Sequence, residues 1–402
     1  MKGKIIAVGL LTALAVAGNA DAKSLEDVLK EKGVISEADY KEVAKSSPIS
    51  YKLGKGFTFA SPDEKFSLTV GGRMQFRYTF TDFDALNTKS TDSSTFDAKR
   101  LRLIFQGHAY TKDLTYKLEI DPRVLATSSS AGGLTDAYMN YKFINEAQVL
   151  VGQTKTRFSR STLQSDGALM FVDRAPFVGK LAHGYDIGAL VHGKIAKSFV
   201  EYDLAVSNGD GQTNAVSNNN NMFSTRVAFN PFGAMSADEP DLAIGKKPLL
   251  SIGANYLFNT VTNGSTAGYA KEFAPAAGTK NEFNNYGFDA QFKWMGLALQ
   301  GEADFVNYEN NSTSVTKRAL GYYAQAGYMI TPEIGLAVRY SYYDKDRDTS
   351  GDLQTEQIGS VSYYFSKHNL KLQADVGNLH AQKGTSAPQD DMQYRVQAQI
   401  IF

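Results

Sequence analysis

The stretch Phe66–Phe80, FSLTVGGRMQFRYTF, decides the fold. Phe66, Leu68, Val70, Met74, Phe76, Tyr78 and Phe80 alternate with Ser67, Thr69, Gly71, Arg73, Gln75, Arg77 and Thr79. A period of two places these sets on opposite faces of a β-strand, one oily and one carrying two arginines. The pattern returns in Leu101, Leu103 and Phe105 against Arg100, Arg102 and Gln106. It returns again in Leu114, Tyr116, Leu118 and Ile120 against Lys117, Glu119, Asp121 and Arg123. The final strand sets Tyr394, Val396, Ala398, Ile400 and Phe402 against Gln393, Arg395, Gln397 and Gln399.

Counting such runs gives about sixteen strands, starting near positions 65, 97, 114, 133, 147, 186, 199, 222, 249, 285, 297, 319, 334, 356, 370 and 391. Connections alternate in length. Those after odd strands are long and polar, as in 82–96, 208–221, 259–284 and 344–354, and those after even strands are tight, as in 111–113 and 295–296. Short turns on one side and long loops on the other define an outer-membrane barrel. The stretch Pro231–Pro248 breaks the rhythm, being long where a turn is expected.

A soluble all-β sandwich would also carry one apolar face per strand. The apolar faces here hold no charge beyond Lys99 at a strand end, and their aromatics gather near strand ends (Tyr78, Phe80, Tyr141, Phe143, Trp294, Tyr340). Such aromatics form girdles at a membrane interface, so the reading is an all-β transmembrane antiparallel β-barrel.

The ends fit that fate. Lys2 and Lys4 precede an apolar run, Ile5–Ala17, that closes on Ala20-Asp21-Ala22. Residues 1–22 read as a signal peptide cleaved before Lys23, the apolar run being shorter than the roughly 20 residues of a spanning helix. Residues 23–56 are expected to form a periplasmic helical segment, from Leu25, Val28, Leu29 and Val34 at helical spacing, broken near Gly33. Residues 57–402 are expected to form the barrel.

Composition limits the function. With no cysteine and only five histidines (108, 183, 192, 368 and 380), none in a nucleophile or metal-ligand motif, nothing supports an enzyme, a metal site or another cofactor. Basic and acidic residues balance at 42 each, so whole-chain charge gives no support to nucleic-acid binding. By strand parity the lumen of the first strands collects Arg73, Arg77, Arg100, Arg102, Lys117 and Arg123, with Lys155 and Arg157 from the fifth strand. Guanidinium forks suit oxyanions such as phosphate. The third long connection, 158–185, is the candidate to fold inward and narrow the lumen, bringing Arg160, Arg174, Lys180 and His183 to the constriction. Acids including Glu119, Asp121, Asp289, Glu302 and Asp304 share the wall, so a mixed lumen of weak selectivity is the alternative. A third reading is a barrel that sheathes or docks a periplasmic partner such as an electron carrier.

The motifs Gly71-Gly72-Arg73-Met74-Gln75, Lys99-Arg100-Leu101-Arg102-Leu103, Asp136-Ala137-Tyr138, Gly152-Gln153-Thr154-Lys155, Phe171-Val172-Asp173-Arg174 and Asn208-Gly209-Asp210-Gly211 occur in this order. With them the chain resembles the phosphate-selective porin O and P family from about Leu25 to Phe402. The resemblance implies a sixteen-stranded homotrimeric channel in outer-membrane lipid, whose lumen cations, here Arg73, Arg100, Arg102 and Lys155, attract small anions such as phosphate. Two departures stand out: the family's double arginine opens as Lys99-Arg100, and Arg157 replaces a customary proline.

Overall fold

The computed structural model describes residues 29–34, 36, 49–84, 91–125, 133–213, 220–262, 268–275, 278–384 and 386–402. Two short strands, β1 (Ile49–Lys52) and β2 (Gly56–Ala60), precede sixteen longer ones. These are β3 (Ser67–Asp82), β4 (Ser93–Ala109), β5 (Thr111–Ile120), β6 (Leu134–Ile144), β7 (Ala147–Lys155), β8 (Tyr185–Ile195), β9 (Val200–Ser207) and β10 (Met222–Phe229). They continue as β11 (Leu249–Thr262), β12 (Lys280–Trp294), β13 (Leu297–Asn310), β14 (Val315–Met329), β15 (Ile334–Asp344), β16 (Gln354–His368), β17 (Leu370–Lys383) and β18 (Ser386–Ile401). Each pairs antiparallel with the next, and β18 returns to β3, so the sheet closes into a sixteen-stranded barrel. Closure leaves no long sheet edge to satisfy in lipid. No helix among the described residues is long and apolar enough to cross a membrane.

The helix expected from Leu25, Val28, Leu29 and Val34 lies mostly outside the described residues; residues 29–31 are helical, and Gly33 takes a φ of 69° just beyond. The expected helical segment ran to residue 56, but 49–52 are a strand: its Tyr51 and Lys52 belong to a short extended run that the helical spacing upstream does not reach.

The seam explains the paired glycines. β18 covers β3 from Arg73 to Asp82, and β2 covers it from Ser67 to Val70, so two pieces of chain lie end to end along one strand. At their junction Gly72 and Phe402 exchange N–H···O bonds of 2.8 and 3.0 Å. A Cβ on Gly71 would stand 2.6 Å from the Lys55 carbonyl and 2.9 Å from that of Phe402; one on Gly72 would stand 2.6 Å from the Phe402 ring.

Lys99, the one charge that simple alternation left on the apolar face, sits at a bulge. Gln75 pairs with Arg100 and Phe76 with Ala98, so Lys99 is the extra residue, and its Nζ lies 3.9 Å from Asp173. Bulges re-aim a side chain in this way. Strand β5 ends at Ile120, which moves Arg123 off the predicted strand and onto a helical turn, Pro122–Leu125.

The barrel interior is divided. On β10–β15 many inward positions are apolar: Met222, Leu257, Val261, Phe283, Val306, Ala319, Tyr323 and Tyr343 pack with Phe158, Phe177, Val178 and Leu181 of the inward connection and with Tyr269 and Phe273 of the β11–β12 connection. At these positions the inner face is a hydrophobic core.

Candidate functional site

The connection 158–184 does fold inward. Phe171, Leu169, Val172 and Phe177 are all at most 1 % exposed. A buried loop must find partners for its backbone, and here the wall supplies them. Asp375 accepts from Val172 N–H at 3.0 Å and Glu302 from Ser161 N–H at 2.8 Å. Lys371 donates to the Leu169 carbonyl, Ser360 to that of Met170, Gln399 to that of Gly167 and Arg77 to that of Val172. The inward glutamines, serines and Lys371 of β16–β18 are thus the loop's hydrogen-bonding bed.

The long connection Pro231–Pro248, which breaks the turn rhythm, has a structural role. It enters from the short-turn rim and meets the inward loop: Glu239 accepts from Met170 N–H at 2.7 Å and donates its own N–H to the Ala168 carbonyl at 2.9 Å. Glu239 is buried, and the neighbouring Asp238 carbonyl takes hydrogen bonds from Gln291 and Lys293. The inward loop is held from both ends of the barrel.

Two loop carboxylates gather the cations of the first strands. Asp166 lies 3.0 Å from Arg100, 3.7 Å from Arg73 and 4.0 Å from Arg102, and it also accepts from Arg174. Asp173 lies 3.0 Å from Arg77 and 3.2 Å from Arg100. Burial alone would raise the pKa of both acids. The surrounding cations, Arg174 and Arg100 at Asp166 and Arg100 and Arg77 at Asp173, outweigh it and hold both well below the usual carboxylate range. Of the wall acids expected to balance these arginines, Glu119 and Asp121 lie beside Arg102, whereas Glu302 lies under Ser161.

The other predicted site residues spread round the wall. Arg102 is 3.6 Å from Glu119, Lys117 is 2.7 Å from Asp136, Arg123 is 3.8 Å from Asp97 and Arg157 is 3.6 Å from Asp203. Arg160 crosses to the opposite side, 2.5 Å from Asp289 and bonded to Ser251 at 2.7 Å. Lys180 bonds Gln354 near the long-loop rim, and His183 is buried between Asp186 at 2.6 Å and the Tyr269 hydroxyl at 3.1 Å. Lys155 differs from all of these. Its ammonium is held by the carbonyls of Thr162 and Gln164 at 2.6 and 2.8 Å, with no carboxylate in ion-pair reach among the described residues.

A cavity of about 560 Å³ lies between the inward loop and the walls formed by β4, the end of β7 and β16–β18. Its basic lining is Lys99, Arg100, Arg102, Lys155, Arg174 and Arg395, against the acids Asp166, Asp173 and Glu356. Arg100, Arg102, Lys155, Arg174 and His183 of the predicted site residues therefore reach this space. Lys99 and Arg395 were not among the predicted lumen cations; Arg395 had its signal in the parity of the last strand, Lys99 only in the bulge. A second cavity of about 590 Å³ at the long-loop rim shares Pro176, Glu356 and Leu379 with the first, so the two adjoin. Among the described residues no three His, Cys, Asp or Glu side chains converge as a metal site.

A closed sixteen-stranded antiparallel barrel with a connection packed inside it is the architecture of an outer-membrane porin. The chain belongs to the phosphate-selective porin O and P family, whose model matches residues 68–402. It is 23 % identical to Porin O of Pseudomonas aeruginosa over 356 residues, covering 81 % of this chain and 78 % of that one. Among solved structures it resembles the outer-membrane channel DcaP of Acinetobacter baumannii, with a TM-score of 0.59 at 14 % identity, covering 87 % of this chain and 100 % of that one. It also resembles an anion-selective porin from Comamonas acidovorans, with a TM-score of 0.57 at 10 % identity, covering 84 % and 100 %.

Proposed function

We propose that this porin passes small hydrophilic anions, phosphate among them, and that Arg100, Arg102, Lys155 and Arg174, joined by Lys99 and Arg395, form the stretch that selects them. The observation that carries this reading is the charge of the inner cavity: six basic side chains against three acidic ones. In a narrow space with low-dielectric walls such an excess attracts anions and repels cations. Lys155 turns its amine to two neutral carbonyls. The remaining predicted cations act behind the passage: Arg73 and Arg77 hold the inward loop, and Lys117, Arg123, Arg157 and Arg160 tie acids of the wall.

The family and the anion-selective relative support the reading. Export through cleavage before Lys23 and assembly as a homotrimer belong to the same proposal. A general pore of weak selectivity is the competing reading, favoured by the ion pairs that Asp166 and Asp173 make with the arginines. Planar-bilayer recording in a potassium chloride gradient separates the two. An anion-selecting pore gives a reversal potential of anion sign, phosphate blocks its chloride current, and changing Arg100 and Arg102 together to Ala moves selectivity toward cations. A parent channel preferring potassium, or a double variant of unchanged selectivity, supports the general pore.

A further inference from the structure

We propose that the anions this passage takes best are organic monoanions with a compact apolar body, of the aromatic carboxylate class, with bare phosphate a weaker guest. The inference rests on the anion-passing reading and names its substrate class: a single charged head held on Arg102, and a body that lies along the apolar side of the two adjoining cavities.

Three of the four guanidinium groups in the inner cavity already hold carboxylates. Arg100 has Nε 3.0 Å from Asp166 and Nη2 3.2 Å from Asp173, Arg174 donates to Asp166, and Arg395 grips Asp375 through Nε at 2.7 Å and Nη2 at 2.9 Å. Arg102 differs. Its side chain is only 10 % exposed, neither Nε nor Nη1 has a hydrogen-bond acceptor, and Glu119, Asp121 and Asp166 stand 3.6, 3.7 and 4.0 Å away. A fork with spare donors suits one carboxylate. A phosphate dianion would bring a second negative charge into a space that Asp166, Asp173 and Glu356 already line.

The other side of the cavity is apolar. Ala175, Pro176, Val178, Gly179 and Ala182 of the inward loop line it, with Leu379 of β17. Pro176 and Gly179 are exposed, while Ala175, Phe177 and Val178 between them are buried. A Cβ on Gly179 would meet nothing within 4 Å, so the helical turn Val178–Leu181 borders open space there. Leu379 lies in register between Glu356 and Asp391 and, with Pro176, lines both cavities. Phe83, Phe177, Tyr343 and Ala387 continue the apolar surface into the outer cavity. An inorganic ion gains nothing from such a wall, whereas a ring or branched chain gains by leaving water. The volumes agree: spaces of about 300–1,000 Å³ with a mostly apolar lining and a few placed polar groups are the size that takes a small organic molecule.

The test records the full mature protein in planar bilayers carrying chloride current, with sodium benzoate, sodium acetate or sodium phosphate added. Benzoate and acetate share a head and differ by a ring, so benzoate should halve the current at roughly a tenth of the acetate concentration. It should also act below the phosphate concentration, and benzyl alcohol, the ring without the charge, should not block. Leu379→Asn should bring the benzoate concentration up toward that of acetate. Gly179→Leu, whose side chain enters the space a ring would take, should do the same and serves if the first variant does not fold. Benzoate no better than acetate, phosphate blocking at lower concentration than benzoate, benzyl alcohol blocking as benzoate does, or a benzoate block indifferent to both variants overturns the inference while a reversal potential of anion sign keeps the anion reading. A reversal potential of cation sign overturns both.

Discussion

Nη2 of Arg100 lies 3.2 Å from Oδ1 of Asp173, so a tethered carboxylate occupies the guanidinium that the proposed anion passage would use. Asp173 shares itself among Arg77, Arg100 and Lys99. Asp173→Asn removes one of three negative charges from the cavity lining while keeping a side chain of the same shape. Reversal potentials should shift further toward anions, and phosphate should block chloride current at lower concentration. An unchanged reversal potential would mean that Asp173 lies outside the field the solute feels.

The loop acids also set an acid limit. Their pKa values are depressed in the folded protein, so the stability they contribute is present above the unfolded value of about 3.9 and is lost as pH falls through the lower folded one. Conductance and the unfolding midpoint should therefore hold from neutral pH down to about pH 5, with the loop loosening only in strong acid. Recording single channels across that range checks this; a transition near neutrality would contradict it.

Glu239 is the clasp between the two segments that enter the lumen. Glu239→Ala leaves the buried Met170 N–H without its acceptor, a loss of about 1–3 kcal/mol. The expected phenotype is a noisier open channel with a lower unfolding midpoint and unchanged ion preference. Quiet channels identical to the parent's would show that the bed of glutamines and serines holds the loop alone.

Much of this was legible in the sequence. Strand starts follow from alternation because each inward position here meets loop, water or core while each outward position meets lipid, and the period of two survives either way. The inward turn of the connection, read as 158–185, was legible from its length and its mix of apolar and basic residues. The destination of Arg160 was not, because Asp289 is 129 residues away and no local pattern pairs them. The bulge at Lys99 was hidden since one inserted residue looks like an ordinary break in alternation. The internal core did leave a trace: Leu257, Val261, Phe283 and Val306 are apolar at inward parity, where a water-filled lumen would place polar groups.

The seam can be probed at Gly71. Gly71→Ala puts a methyl group within 3 Å of two backbone carbonyls that cannot swing aside. Overpacking of this kind costs about 1–3 kcal/mol, so the variant should show a smaller heat-resistant folded fraction on electrophoresis. Gly359→Ala, with open space around its added carbon, is the control and should match the parent.

That seam also joins distant stretches of the chain. β2 and β4, the strands nearest β3 in sequence, cover part of its length, whereas β18 comes from the other end of the barrel. Closing the cylinder therefore depends on the pairing of greatest sequence separation in the sheet, and the entropy lost in bringing such remote segments together makes that step sensitive to the fit of the glycine pair beneath Phe402.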